Sequence, residues 1–137
     1  MAKDTDREIV QHIDSEFAAL IDSLKGLARS VPPNQYVLRC AAAIEQMCGG
    51  LTTNLWDDPV EWTLPETLSS PERIAEYLLE VDLARQRAFS AIDNDSALTK
   101  FISVPSGEPR LLVSLLLETL VKASDFRGRA LAADERG

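Results

Sequence analysis

The sequence predicts an all-α protein, a four-helix bundle with a long connection between its second and third helices. Three observations carry this. Apolar residues recur at steps of three and four through four separate stretches. A proline pair, a glycine pair and an Asp/Asn cluster separate those stretches. No stretch alternates apolar and polar residues long enough to make a convincing strand. The chain of 137 residues is expected to form one domain, residues 1–137. At 45% hydrophobic and 26% charged it has the balance of a soluble globular protein.

The first stretch covers residues 6–29. Ile9, Val10, Ile13, Phe17, Leu20, Ile21, Leu24 and Leu27 make one stripe along it. Asp4, Thr5 and Asp6 are suitable N-cap types, and Pro32-Pro33 ends the segment. The second stretch starts at 33 or 34 and ends between 47 and 51. Its stripe is Val37, Leu38, Ala41, Ile44, Met47, Cys48 and Leu51, with Gly49-Gly50 as the expected stop. Ala41, Ala42 and Ala43 are strong helix formers whose small side chains permit a close helix approach.

Residues 52–70 form the long connection and hold both tryptophans, Trp56 and Trp62. A connection of this length is usually a lid or a crossover, so the rings are expected to plug one end of the bundle or to line a pocket. The third helix opens with Ser70 as N-cap and Pro71 in the first turn, then carries Ile74, Tyr77, Leu78, Val81, Ala84, Ala88 and Ile92. Asp93-Asn94-Asp95 closes it, and residues 96–108 read as a short extended or 3₁₀ piece and a turn. The fourth helix covers about 109–133. Val113 and Leu117 widen its stripe until it is apolar nearly all round, as expected of a helix that is central or buries a second face against a partner chain.

Composition excludes several functions. The net charge is −8, and only Lys122, Arg127, Arg129 and Arg136 make a locally basic stretch, so no nucleic-acid partner is expected. No apolar run is long enough for a membrane span, and the polar start lacks a signal-peptide core, so a cytoplasmic location is expected. The single histidine, His12, is expected on a polar or boundary face, and a Ser-His-Asp triad is improbable. The acid pairs Glu80/Asp82, Asp57/Asp58 and Asp93/Asp95 are expected to be solvated. Cys40 and Cys48 lie ~12 Å apart along one helix, too far for a disulfide. Both are expected as buried apolar residues. If Lys122 came close, however, Cys40 would be a candidate thiolate.

The fourth helix contains Leu115-Leu-Leu-Glu-Thr-Leu-Val-Lys122-Ala-Ser-Asp-Phe126-Arg127-Gly128-Arg129-Ala-Leu131. It resembles the last helix of the DinB/YfiT-like superfamily, whose motif is an apolar stretch, two histidines four apart, then Arg-Gly-Gln. Arg127-Gly128 matches the Arg-Gly pair, and Arg129 stands where the family has Gln. Cys40 and Glu45 hold the spacing of the family's second-helix histidine and the glutamate that follows it. The resemblance covers nearly the whole chain and implies a helical bundle with a metal cleft. Its three histidine positions, however, carry Cys40, Lys122 and Phe126, so no metal and no cofactor is expected. The resulting expectation is a bundle without the metal site that binds a small apolar ligand or another protein. Cys40, Lys122 and Phe126 would line the remnant cleft, with Trp56 and Trp62 at its mouth. No catalytic residue is assigned. Two alternatives stay open: a metal-independent thiol-transferase-like enzyme using Cys40 or Lys122, and a structural homodimer.

Overall fold

A computed structural model describes residues 6–28, 35–54, 56, 70–105 and 107–136. The described residues form a four-helix bundle: α1 Glu8–Leu27, α2 Gln35–Thr53, α3 Pro71–Ser90 and α4 Leu112–Arg136. A 3₁₀ helix, Asp95–Thr99, follows α3. A two-stranded antiparallel ribbon then pairs β1, Phe101–Ile102, with β2, Arg110–Leu111. The strands are two residues each, too short to show as alternation in the sequence. Gly107 turns the ribbon at φ 112°, a backbone conformation that favours glycine. The fourth helix therefore starts at Leu112 rather than near 109, because β2 takes up the residues before it.

Contacts along the helices give their directions. Arg7 meets the end of α3 at Ile92, and Asp14 meets Arg85, so α1 and α3 are antiparallel. Cys40 meets Ala123, while Met47 and Leu115 line one groove, so α2 and α4 are antiparallel. Tyr77 meets Glu45, and the Arg85 charge acts on Cys48 further along, so α2 and α3 are parallel. Around the bundle the order is α1, α4, α2, α3, with α1 across from α2 and α3 across from α4. A parallel α2–α3 pair puts the end of one helix and the start of the next roughly 30 Å apart, at 1.5 Å per residue. Of the expected connection over 52–70, Thr52 and Thr53 belong to α2, and apart from 54, 56 and 70 the rest, including Trp62, lies outside the described residues.

The stripes read from the sequence form most of the core, whereas Ile9, at the start of the first, is 55% exposed. Phe17, Ile21, Leu24, Ile44, Ile74, Leu78, Phe89 and Leu116 are all fully buried. Each such side chain contributes roughly 1.5–3 kcal/mol by leaving water. Phe17 and Phe89 meet at 5.7 Å between ring centroids, tilted 45°, and key α1 to α3.

The helix ends differ from expectation in one instructive place. Ser70 caps α3 as its sequence predicts, accepting from the Arg73 N–H at 3.3 Å. The first helix is not capped by Asp6, because its N-cap position is Arg7, which makes no side-chain capping bond. Asp4 and Thr5 lie outside the described residues. The α1 cap comes from Asp95, whose carboxylate accepts from the N–H groups of Ile9 at 3.1 Å and Val10 at 2.9 Å. Arg7 returns the exchange by donating to the carbonyls of Phe89, Ile92 and Asp93 at the end of α3. Each charge therefore sits at the helix end whose dipole it offsets. Asp95 is not the solvated acid its sequence context suggests.

Asp82 is likewise engaged. It accepts from Arg85 at 2.9 Å and from Gln86 at 3.1 Å, while Arg85 also pairs with Asp14 of α1. Burial alone would raise the Asp82 carboxyl, but the Arg85 hydrogen bond and charge and the Gln86 bond outweigh it and hold the group below the usual carboxylate range. A lowered folded-state pKa adds stability above the unfolded value and loses it as pH falls through the folded one.

Two measurements check these contacts. In urea denaturation Asp95→Ala is expected to cost about 1–2 kcal/mol, the range for a lost N-cap; an unchanged midpoint would mean the cap holds nothing. Asp82→Asn is expected to flatten the fall in stability below about pH 4, relative to the parent protein. Parallel acid profiles would remove Asp82 from the account.

Candidate functional site

The α2–α4 pair positions most of the residues of interest, and it differs along its length. At one end the helices are close-packed. Cys40 and Ala123 are both fully buried, and the Cys40 thiol donates to the Ala123 carbonyl at 3.2 Å. Burial pushes the thiol up to about 12, against a smaller opposing effect of the Arg127 charge. Cys48 is also buried and pushed up to about 12 by burial, with Arg85 opposing and Asp14 and Glu45 adding to the rise. Neither sulfur is a thiolate at neutral pH. Phe126 is half-buried and packs against the core. Arg127 of the Arg-Gly pair has its Nε buried without a hydrogen-bond partner.

The expected Cys40–Lys122 couple does not form. Lys122 is exposed on α4, and the charge that reaches Cys40 is that of Arg127. Successive helix residues point about 100° apart, so Ala123 can face α2 while Lys122 looks out. The three positions that the resemblance implies for a metal do not suit one: a protonated buried thiol, an exposed ammonium and a phenyl ring. Among the described residues no cluster of three His, Cys, Asp or Glu side chains could hold a metal ion. His12 is on the outer face of α1, its side chain 78% exposed and 3.9 Å from Glu16.

At the other end the same two helices open into a groove of about 330 Å³. Ala43 and Met47 of α2 and Leu115 of α4 form its apolar floor, with Trp56, Val104 and Pro105 as further apolar wall. Gln46, Thr119, Arg110 and Lys122 supply the polar groups. Arg110 also pairs with Glu118, whereas Lys122 has no ion pair among the described residues.

Trp56 reaches the groove because α2 does not stop at its glycine pair. The helix runs on to Thr53, with the Thr52 and Thr53 hydroxyls donating back to the Cys48 and Gly49 carbonyls. It closes at Asn54, whose φ of 58° is left-handed and whose N–H donates to the Gly50 carbonyl at 3.1 Å. The Trp56 ring then lies directly over Gly50, where an added Cβ would come within 2.3 Å of it. Two hydrogen bonds hold the residue there. Its indole N–H donates to Asn54 Oδ1 at 2.9 Å, and its carbonyl accepts from Gln46 Nε2 at 2.8 Å.

Of the expected cleft residues, Lys122 and Trp56 come together, and Cys40 and Phe126 lie elsewhere on the helix pair. Sequence reasoning missed Gln46, Thr119 and Arg110. The first two sit at helical spacing from Ala43 and Lys122, a signal that was present but unremarkable without the partner helix. Arg110 belongs to the second strand of the ribbon, which the periodicity instead assigns to the fourth helix.

The chain matches no protein-family model, no curated protein and no solved structure.

Thiol chemistry gives the direct check on the buried sulfurs. Cys40 and Cys48 are expected to resist iodoacetamide at pH 7 in the folded protein and to react fully once it is unfolded. Labelling of native Cys40 at the rate of a free thiol would contradict the burial described.

Proposed function

We propose that the protein is a divergent DinB/YfiT-like bundle that has lost its metal site and binds a small, largely apolar ligand without transforming it. The observation that carries this is the groove between α2 and α4, with Trp56 seated on Gly50 at its edge and Lys122 beside it. Its volume is at the lower end of the ~300–1,000 Å³ usual for ligand clefts. The helix order supports the family assignment. So does the way α2 and α4 face each other at Cys40 and Ala123, next to the positions where the family places its metal ligands. A binding role is favoured over a thiol-transferase because Cys40 is protonated, buried and absent from the groove.

A second reading, self-association, has its own observation. Leu117 and Val121, four apart on the outer face of α4, are 47% and 70% exposed. No helix among the described residues is long and apolar enough to cross a membrane, so that exposure is not accounted for by a span.

Trp62→Phe leaves Trp56 as the only tryptophan. Titration with 1-octanol is then expected to shift its emission saturably, and Thr119→Phe, which fills the groove, to abolish the shift. No saturable shift, or the same shift in the filled variant, would overturn ligand binding at this groove.

A further inference from the structure

We propose that the ligand of the groove is an anion, specifically a small apolar carboxylate whose acid group lies between Lys122 and Arg110. This rests on the ligand-binding reading above and narrows it. The chain as a whole is strongly acidic, with 22 Asp and Glu against 14 Lys and Arg. Its mean field therefore repels anions. Yet among the described residues the ionisable side chains on the groove wall are both cations, Lys122 and Arg110.

The two cations are not equivalent. Arg110 is already paired with Glu118, whose side chain is 60% exposed. An exposed pair of this kind is worth little and can exchange partners at small cost. Lys122 has no ion pair among the described residues, and its ammonium is the charge the proposal gives to the ligand. One ammonium and one exchangeable guanidinium match a monoanion. Two cations, one of them already neutralised in part by Glu118, match a single negative charge better than the two of a phosphate dianion. The rest of the wall, Met47, Leu115, Trp56 and Val104, suits a hydrocarbon body. The groove thus has a charged end and an apolar floor, the arrangement that recognises an amphipathic acid.

The test compares octanoate, 1-octanol and octylammonium at pH 7, read by Trp56 emission in the Trp62→Phe protein. These probes share a chain and differ in the sign of their head group. Octanoate is expected to bind at least about 10-fold more tightly than octanol, and octylammonium more weakly than either. Lys122→Met keeps the length of the side chain and removes its charge. It is expected to weaken octanoate binding several-fold more than octanol binding, and raising the salt is expected to weaken octanoate more than octanol. Equal affinity for octanoate and octanol would overturn the carboxylate assignment and leave the ligand groove standing. Tighter octylammonium, or octanoate binding unaffected by Lys122→Met, would also overturn it. Failure of all three probes to bind would remove the groove reading itself.

Discussion

The closeness of α2 to α4 decides what this bundle can do. Small buried side chains accompany it, Ala41 and Ala42 on one helix and Ala123 on the other. Where they are closest, the Cys40 thiol spans the gap to the Ala123 carbonyl and is fully dehydrated. A sulfur held this way is a packing element, since the charged form of a buried thiol carries a desolvation penalty with no adequate counter-charge. Further along the same pair, Met47, Leu115 and Thr119 line the groove. Packing and opening are thus two consequences of one helix pair.

The opposite side of the bundle is held by charge. Asp95 and Arg7 exchange caps between α1 and α3, and Arg85 ties Asp14 to Asp82 midway along the same pair. These contacts fix α1 against α3 in direction and register, leaving α2 and α4 free to differ along their length. Glu45 sits between the two halves. Burial raises its carboxyl, and the Tyr77 hydroxyl, donating at 2.9 Å, only partly offsets that. A raised carboxyl is a stability cost that grows as pH rises through its folded pKa.

Helical periodicity made the four helices and nearly all of the core legible, because burying one stripe is what a bundle requires. Ser70-Pro71 was legible for the same local reason, as a cap acts within one turn. What escaped was non-local. Asp95 caps a helix 85 residues away from it in the chain at Val10, and no spacing rule reports that. Gly50 looked like a helix stop. Its missing side chain instead makes room for Trp56, which only the folded chain reveals. In the candidate site, Lys122 and Trp56 were picked out on separate grounds and do meet. Cys40 and Phe126 were grouped with them by motif position, whereas helix rotation separates Lys122 from Ala123 by about 100°.

The central claim is that the groove, and not the cysteine end of the helix pair, receives the ligand. Amide and indole NMR shifts of the protein titrated with octanoate address this most directly. The account predicts saturable shifts at Gln46, Met47, Leu115, Thr119 and Lys122 and at the Trp56 indole, with Cys40, Ala123 and Phe126 undisturbed. Shifts centred on Cys40 and Phe126, or spread over the exposed face of α1, would contradict it.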